Sequence, residues 1–123
     1  MAGAQGAEKG GEGMTVNARL RGALSGLGLE VLPEVDEQYR ERCFTFNYDM
    51  VPTQFADNRP MWYRCLIQVH LFLPLKENSV KLRQDAAAAL FSAGFTWPEV
   101  VDASDEEAQH YVFETEIITK LEE

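Results

Sequence analysis

The chain is poor in the residues from which most functional signatures are made. It has two cysteines, Cys43 and Cys65, in 123 residues, and neither has a Cys-x-x-Cys partner. Both fall inside predicted strands, so each is expected to be a buried thiol in a reducing cytoplasm. Pairing across the hairpin is the alternative arrangement. No apolar run approaches the ~18 residues of a transmembrane helix. The first residues lack the basic and apolar regions of a secretory signal, so none is expected. There is no P-loop, dinucleotide fingerprint or nucleophile elbow. Nothing assembles a nucleophile, a base and an orienting group, so neither catalysis nor a cofactor is expected.

Metal-ligand patterns are equally thin. A Cys/His site would need Cys43, Cys65, His70 and His110, whose spacings match no familiar zinc pattern. Cys65 and His70 also fall on opposite faces of one strand. Asp49 and Asp57 would have to meet across a loop to hold Mg²⁺, and such residues more often bond their own backbone in turns. Asp102, Asp105 and Glu106 resemble a calcium loop only superficially, since the Gly and the terminal Glu are missing at the required spacing. His110, beside that acidic turn, reads as a surface histidine rather than a general base.

Positive charge is also in short supply. Eleven Lys and Arg stand against twenty Asp and Glu, a net charge of −9. The imbalance is local: residues 14–98 hold nine acids and nine bases, whereas residues 99–123 hold nine acids and Lys120 alone. Such a field repels nucleic acid. A solvated edge that aids solubility is the plain reading of it.

What is present centres on residues 43–74. Met61–Leu73 runs thirteen residues without Gly or Pro. Its odd positions are apolar or aromatic throughout, and its even positions (Trp62, Arg64, Leu66, Gln68, His70, Phe72) are mixed. This period of two marks a strand with one face on a core and the other partly covered by a neighbour. Arg42–Met50 is a second strand, rich in aromatic and β-branched residues. The connection from Asp49 to Pro60 carries Pro52, Phe55, Asp57 and Asn58. It is longer than the two to five residues that antiparallel strands need, and excess loop length often serves function. Phe55 and Trp62, at or beside this loop, are candidate interface anchors.

The remaining elements follow in order. Residues 1–13 hold five glycines and no large apolar side chain. They read as a flexible tail or an appended leader, with Met14 as a candidate start. A single domain is expected over residues 14–123. Thr15 caps a helix to Leu27 with Val16, Leu20, Leu24 and Leu27 on its buried stripe. Leu29–Leu32 is a short edge strand stopped by Pro33, and residues 34–42 are a charged loop. A second helix, Ser79–Ala93, has Asn78 as cap, Gly94 as stop, and Val80, Ala87, Leu90 and Phe91 as its stripe. Phe95–Val101 and His110–Leu121 are strands around a turn at Asp102–Glu107. The fold class expected is α+β, a mainly antiparallel sheet with two helices packed on one face.

These residues carry a family resemblance. Phe46-Asn47-Tyr48, Pro52, Phe55-Ala56-Asp57-Asn58, Pro60 and the strand Cys65–Phe72 resemble the tail-terminator and tail-completion proteins of long-tailed bacteriophages. Ala93-Gly94-Phe95 and Gln109–Phe113 extend the similarity over residues 15–121. The Gly-rich start and the strongly acidic end depart from the pattern. The resemblance implies a structural virion protein, not an enzyme. It would act at the head–tail interface after assembly in the host cytoplasm, with no membrane involved. It implies a hexameric ring that caps the tail tube, ends tube polymerisation and offers a surface to a head-completion or connector protein, with DNA passing through its hole without specific binding. Asp49, Pro52, Phe55, Asp57, Asn58 and Trp62 are then expected at a subunit or tube contact. Glu114 and Glu116, on one face of the last strand, are candidates for an acidic lumen. A head-side adaptor or stopper, or a tail-tube component, is the alternative within the same particle. An acidic inhibitor that mimics DNA is the alternative of another class.

Overall fold

The computed structural model describes residues 15–33, 42–60 and 62–120. The Gly-rich start, most of the charged 34–42 loop, Met61 and Leu121 lie outside the described residues.

Helix α1, Val16–Leu24, starts where its cap predicts: Thr15 Oγ1 accepts a hydrogen bond from Ala18 N at 3.0 Å. Val16, Leu20 and Leu24 form its buried stripe. A single 3₁₀ turn, Ser25–Leu27, follows, and Gly28 reverses the chain at φ 89°. That conformation costs an L-residue with a Cβ and costs glycine little. The chain continues into β1, Glu30–Pro33, and then β2, Cys43–Pro52. A short hairpin, β3 Phe55–Ala56 and β4 Arg59–Pro60, precedes the long strand β5, Tyr63–Leu73. Helix α2 spans Val80–Ser92, and β6, Glu99–Asp102, and β7, Gln109–Thr119, complete the chain.

The fold is α+β. A five-stranded sheet has the order β1-β2-β5-β7-β6, with β1 parallel to β2 and every other pair antiparallel. Both helices pack on one face of it. Their buried residues, Leu20, Leu24 and Leu90 among them, join a single cluster with Phe44, Phe46, Phe113 and the odd positions of β5. Cys65, Ile67, Val69, Leu71 and Leu73 are each no more than 2% exposed. Ala86 of α2, fully buried, lets the helix backbone approach closely.

The α2 stripe differs from the sequence expectation. Ala86, Ala87 and Leu90 are buried, but Val80 and Phe91 are 52% and 56% exposed. Val80 opens the helix and overhangs its end. Phe91 follows Leu90, about 100° further round the helix, and turns outward. It meets the equally exposed Trp97 edge-on, with ring centroids 5.6 Å apart. The stop is as expected: Gly94 adopts φ 105°, and Phe95 N donates to Leu90 O at 3.1 Å. Residues 95–98 are not strand; β6 begins only at Glu99.

One buried polar network ties the turn after β5 to β7. The Gln109 side-chain amide donates to Pro74 O and Glu77 O, both at 2.7 Å. Tyr111 OH donates to Gln109 Oε1 at 2.6 Å and accepts from Ser79 Oγ at 3.2 Å. Arg83 donates to Ser79 Oγ at 3.1 Å and lies over the Tyr111 ring at 4.4 Å. Because Tyr111, Ser79 and Gln109 are buried, a lost partner leaves its neighbour desolvated and unsatisfied. Tyr111→Phe is expected to cost about 1–3 kcal/mol, read as a shifted urea midpoint with an unchanged slope.

Both cysteines are buried thiols without a disulfide. Cys43 lies opposite Phe72 and Cys65 opposite Met50 in the β2–β5 ladder, which places them on opposite faces of the sheet. Thiol labelling is expected to be slow in the native protein and complete after denaturation. A mass two units low, restored by reductant, would contradict this.

Candidate interaction surface

Among the described residues, the second face of the sheet is left open. Both helices take the face carrying the odd side chains of β5, so the even side chains turn the other way. The register lays the open face out in rows across the strands. Cys43, Phe72 and His110 form the first row, and Thr45, His70, Val112 and Val101 the second. Asn47, Gln68, Glu114 and Glu99 form the third, and Asp49, Leu66 and Glu116 the fourth. Val51, Arg64 and Ile118 form the fifth. The partly apolar character of the even positions is thus a property of this surface. Leu66, Val51, Val101 and Ile118 are 38–54% exposed on it.

One end of the face is aromatic. His70 Nδ1 and His110 Nε2 are 2.9 Å apart, so one imidazole donates to the other. Phe72 stacks on His110 at 4.3 Å. A cleft of about 540 Å³ beside this stack is lined by Phe72, Leu75, Lys76, Asp105, Glu107 and His110. Sequence separation hides this pair: β7 returns beside β5, and His110 comes to rest diagonally across from His70. His110 is therefore half-buried, not a plain surface residue. Burial pushes its imidazole below the ordinary range, and Asp105 and Asp102 pull it part of the way back. Those carboxylates serve their own loop. Asp102 Oδ1 accepts from Ser104 N, and Asp105 Oδ1 accepts from Glu107 N and Ala108 N. The Ser104 hydroxyl, followed by the Ser104 backbone N–H, holds Asp102 below the usual carboxylate range, and the two backbone bonds do the same for Asp105. The four-ligand Cys/His set is not assembled, because Cys65 faces the helices. Among the described residues, no three His, Cys, Asp or Glu side chains are grouped to hold a metal ion.

The other end is acidic. Glu116 pairs with Arg64 at 3.1 Å. Glu99 and Glu114 stand directly opposite each other in the β6–β7 ladder, an arrangement of like charges that weakens a sheet. Asn47 Oδ1, in the same row, is buried without a hydrogen-bond donor. A shallow cleft of about 430 Å³ runs along these side chains.

The long connection of the sequence reading is itself mostly β-structure. β2 continues through Asp49 to Pro52, which pairs with Tyr63. Asp49 is thus a mid-ladder residue of the open face. Thr53 N donates to Trp62 O at 2.8 Å, one step further. Phe55 and Ala56 then pair with Pro60 and Arg59 around Asp57 and Asn58. Both turn residues have positive φ, 54° and 61°, the pattern of a two-residue I′ turn that Asp and Asn tolerate. The segment is a hairpin arm with an interruption, not a loop. Asp49 and Asp57 are separated along it and form no cation site. Phe55 is 63% exposed on the arm. Trp62 is half-buried at its base, under Lys120 at 5.4 Å.

No protein-family model and no curated protein matches the sequence. A solved structure that carries no functional name aligns over 89% of this chain and 97% of its own length, with a TM-score of 0.59 and 14% identity. At that identity the likeness is one of fold alone.

The expected residues therefore fall into groups. Asp49, Glu114 and Glu116 share the open face, whereas Phe55, Asp57 and Asn58 share the arm, with Pro52 and Trp62 at its base. Sequence reasoning missed the His70–His110 pair and the exposed Phe91–Trp97 pair. Only the placement of Phe91 beside Leu90, rather than a helical turn away, signals the latter.

The histidine pair generates a pH dependence. The folded state holds His110 below its ordinary pKa, so the unfolded chain takes up the proton first as pH falls. The stability contributed is full above the ordinary histidine range and is lost as pH drops through it towards the folded value. The melting temperature is expected to fall between about pH 7.5 and about pH 5.5. His110→Gln should flatten this part of the profile.

Proposed function

We propose that the chain is a structural protein of a long-tailed bacteriophage particle, a tail terminator that assembles into a ring on the end of the tail tube. What supports this most is the hairpin arm beside an open sheet face. An exposed aromatic on a hairpin arm contributes nothing evident to the subunit's own core, and Phe55 is the most exposed of the large apolar side chains described. Arms and open faces of this kind are suited to contacts with further copies. The similarity of Phe46–Phe72 to the tail-terminator pattern supplies the particular assembly. The ring would be hexameric, would end polymerisation of the tube protein, and would present its other side to a head-completion or connector protein. It acts as an assembly part, not an enzyme, and belongs to the virion at the head–tail joint. The acids of the open face lie in rows across the strands, interrupted by Leu66 and Ile118. A DNA mimic requires them along one ridge, so that reading has less support.

The test is mass in solution with electron micrographs of the purified chain, alone and mixed with tail tubes lacking a terminator. Six-fold rings that bind tube ends are the expected result; a chain that stays monomeric with and without tubes contradicts the reading. Phe55→Ala is expected to leave stability within about 0.5 kcal/mol, as for other surface changes, while ring or tube binding is lost. Normal assembly of that variant would make the arm a mere connection.

A further inference from the structure

The charges of this molecule are divided between its two layers. The described helices carry Arg19, Arg21, Lys81 and Arg83 against one acid, Asp85, which pairs with Lys81 at 3.1 Å and leaves the layer net basic. The open sheet face carries Asp49, Glu99, Glu114 and Glu116 against Arg64. Arg64 is engaged by Glu116, and among the described residues no cation pairs with Asp49, Glu99 or Glu114. Glu99 faces Glu114 across the ladder, and Asn47 Oδ1 lacks a donor in the same row. The face is thus supplied with acceptors and short of donors.

We propose that the open sheet face seats on the helix layer of a second copy of this chain, head to tail, with the acidic row receiving the neighbour's guanidinium and ammonium groups. The proposal rests on the ring reading and specifies its subunit contact. Symmetry and charge choose the arrangement. A two-fold contact places the same patch on both partners. Stacking two open faces would set Glu99 and Glu114 against their own copies, and like charges brought together oppose association. A head-to-tail contact joins two different patches, and it forms a ring where the rotation between copies closes and an open filament where it does not. It sets the acidic face on the basic layer and covers Leu66, Val101 and Ile118 at the same time. The other orientation of the face, towards the lumen, leaves the Glu99–Glu114 repulsion without compensation.

Charge exchange tests this. Glu99 and Glu114 are exposed and in no ion pair described, so Glu99→Lys with Glu114→Lys reverses the face with little risk to the fold. Arg21→Glu with Lys81→Glu reverses the helix layer, giving up the contacts of Arg21 with Val31 O and the Phe46 ring; Arg83 is kept because it belongs to the buried Ser79–Tyr111 network. Each double variant is expected to raise the concentration for half-assembly about tenfold or more, with melting temperature as the control for folding. The quadruple variant, with both patches reversed on every subunit, is expected to regain rings. Added salt should weaken the wild-type ring, since exposed charges are screened over about 8 Å at physiological strength. Rings unaffected by face reversal would put the acids in the lumen or on the outer wall and overturn the proposal. So would a folded quadruple variant that fails to assemble when both double variants also fail. Neither result touches the ring reading, which wild-type mass and micrographs decide by themselves.

Discussion

The fold depends on β5 burying alternate side chains against two helices. With Cys65, Ile67, Val69, Leu71 and Leu73 all within 2% of full burial, a slip of one residue would place Arg64, Gln68 and His70 in the core. Period-two burial therefore fixes the register of the central strand. β5 in turn aligns β2 on one side and β7 on the other over nearly its whole length. The same constraint makes the open face. Once the odd side is committed to the helices, the even side receives whatever the sequence places there, and here that is imidazole, acid and exposed aliphatic side chains. The buried Gln109–Tyr111–Ser79 network adds a second lock, since it holds the turn after β5 at the level where α2 must start.

Much of this was legible in the residues because the signals are local. Thr15 announces the first helix start, Gly94 the end of the second, and the alternation of β5 its two faces. Asn78 reads as the cap of the second helix, but the cap position is Ser79, one residue on, with Asn78 Oδ1 accepting from Val80 N. Where the reading fails, the deciding term is not local. The arm looked like a loop because its turn is Asp57-Asn58, not the stronger Asn-Gly or Asp-Gly signal, and because Pro52 and Pro60 argue against strand. Both prolines sit where the ladder ends or stands apart from the main sheet, so neither removes a needed bond. Hydrophobicity places Phe91 in the core, but the buried Ala86, Ala87 and Leu90 set the phase of the helix, and Phe91, about 100° on from Leu90, turns outward. The His70–His110 contact needs the pairing of β5 with β7, which no spacing within either strand reveals.

An antiparallel sheet with one solvated face is ordinary, so openness alone carries no functional weight. The composition of the face does. A face selected only for contact with water would alternate charges and avoid like pairs across a ladder. This one places Glu99 opposite Glu114, leaves an amide oxygen buried without a donor, and exposes aliphatic side chains between the acids. The like pair and the unsatisfied amide each cost the isolated subunit a little stability. The buried core lies on the helix side, so the exposed residues of the open face can change with little effect on folding.

The two ends of that face differ in how they respond to their surroundings. Asp49, Glu99 and Glu114 of the acidic rows are exposed, so salt screens them. The imidazole pair at the other end is half-buried and hydrogen-bonded, so salt affects it less and protons affect it more. Bringing both rings to the charged form would place two positive charges at hydrogen-bond distance, which the shared bond cannot survive. A partner lying along the whole face would therefore meet a salt-sensitive grip at one end and an acid-sensitive one at the other. The arm responds to neither, because Phe55 acts through apolar area. A contact built from all three would have its orientation set by charge and its strength by the aromatic arm, in keeping with the usual division of labour at protein interfaces.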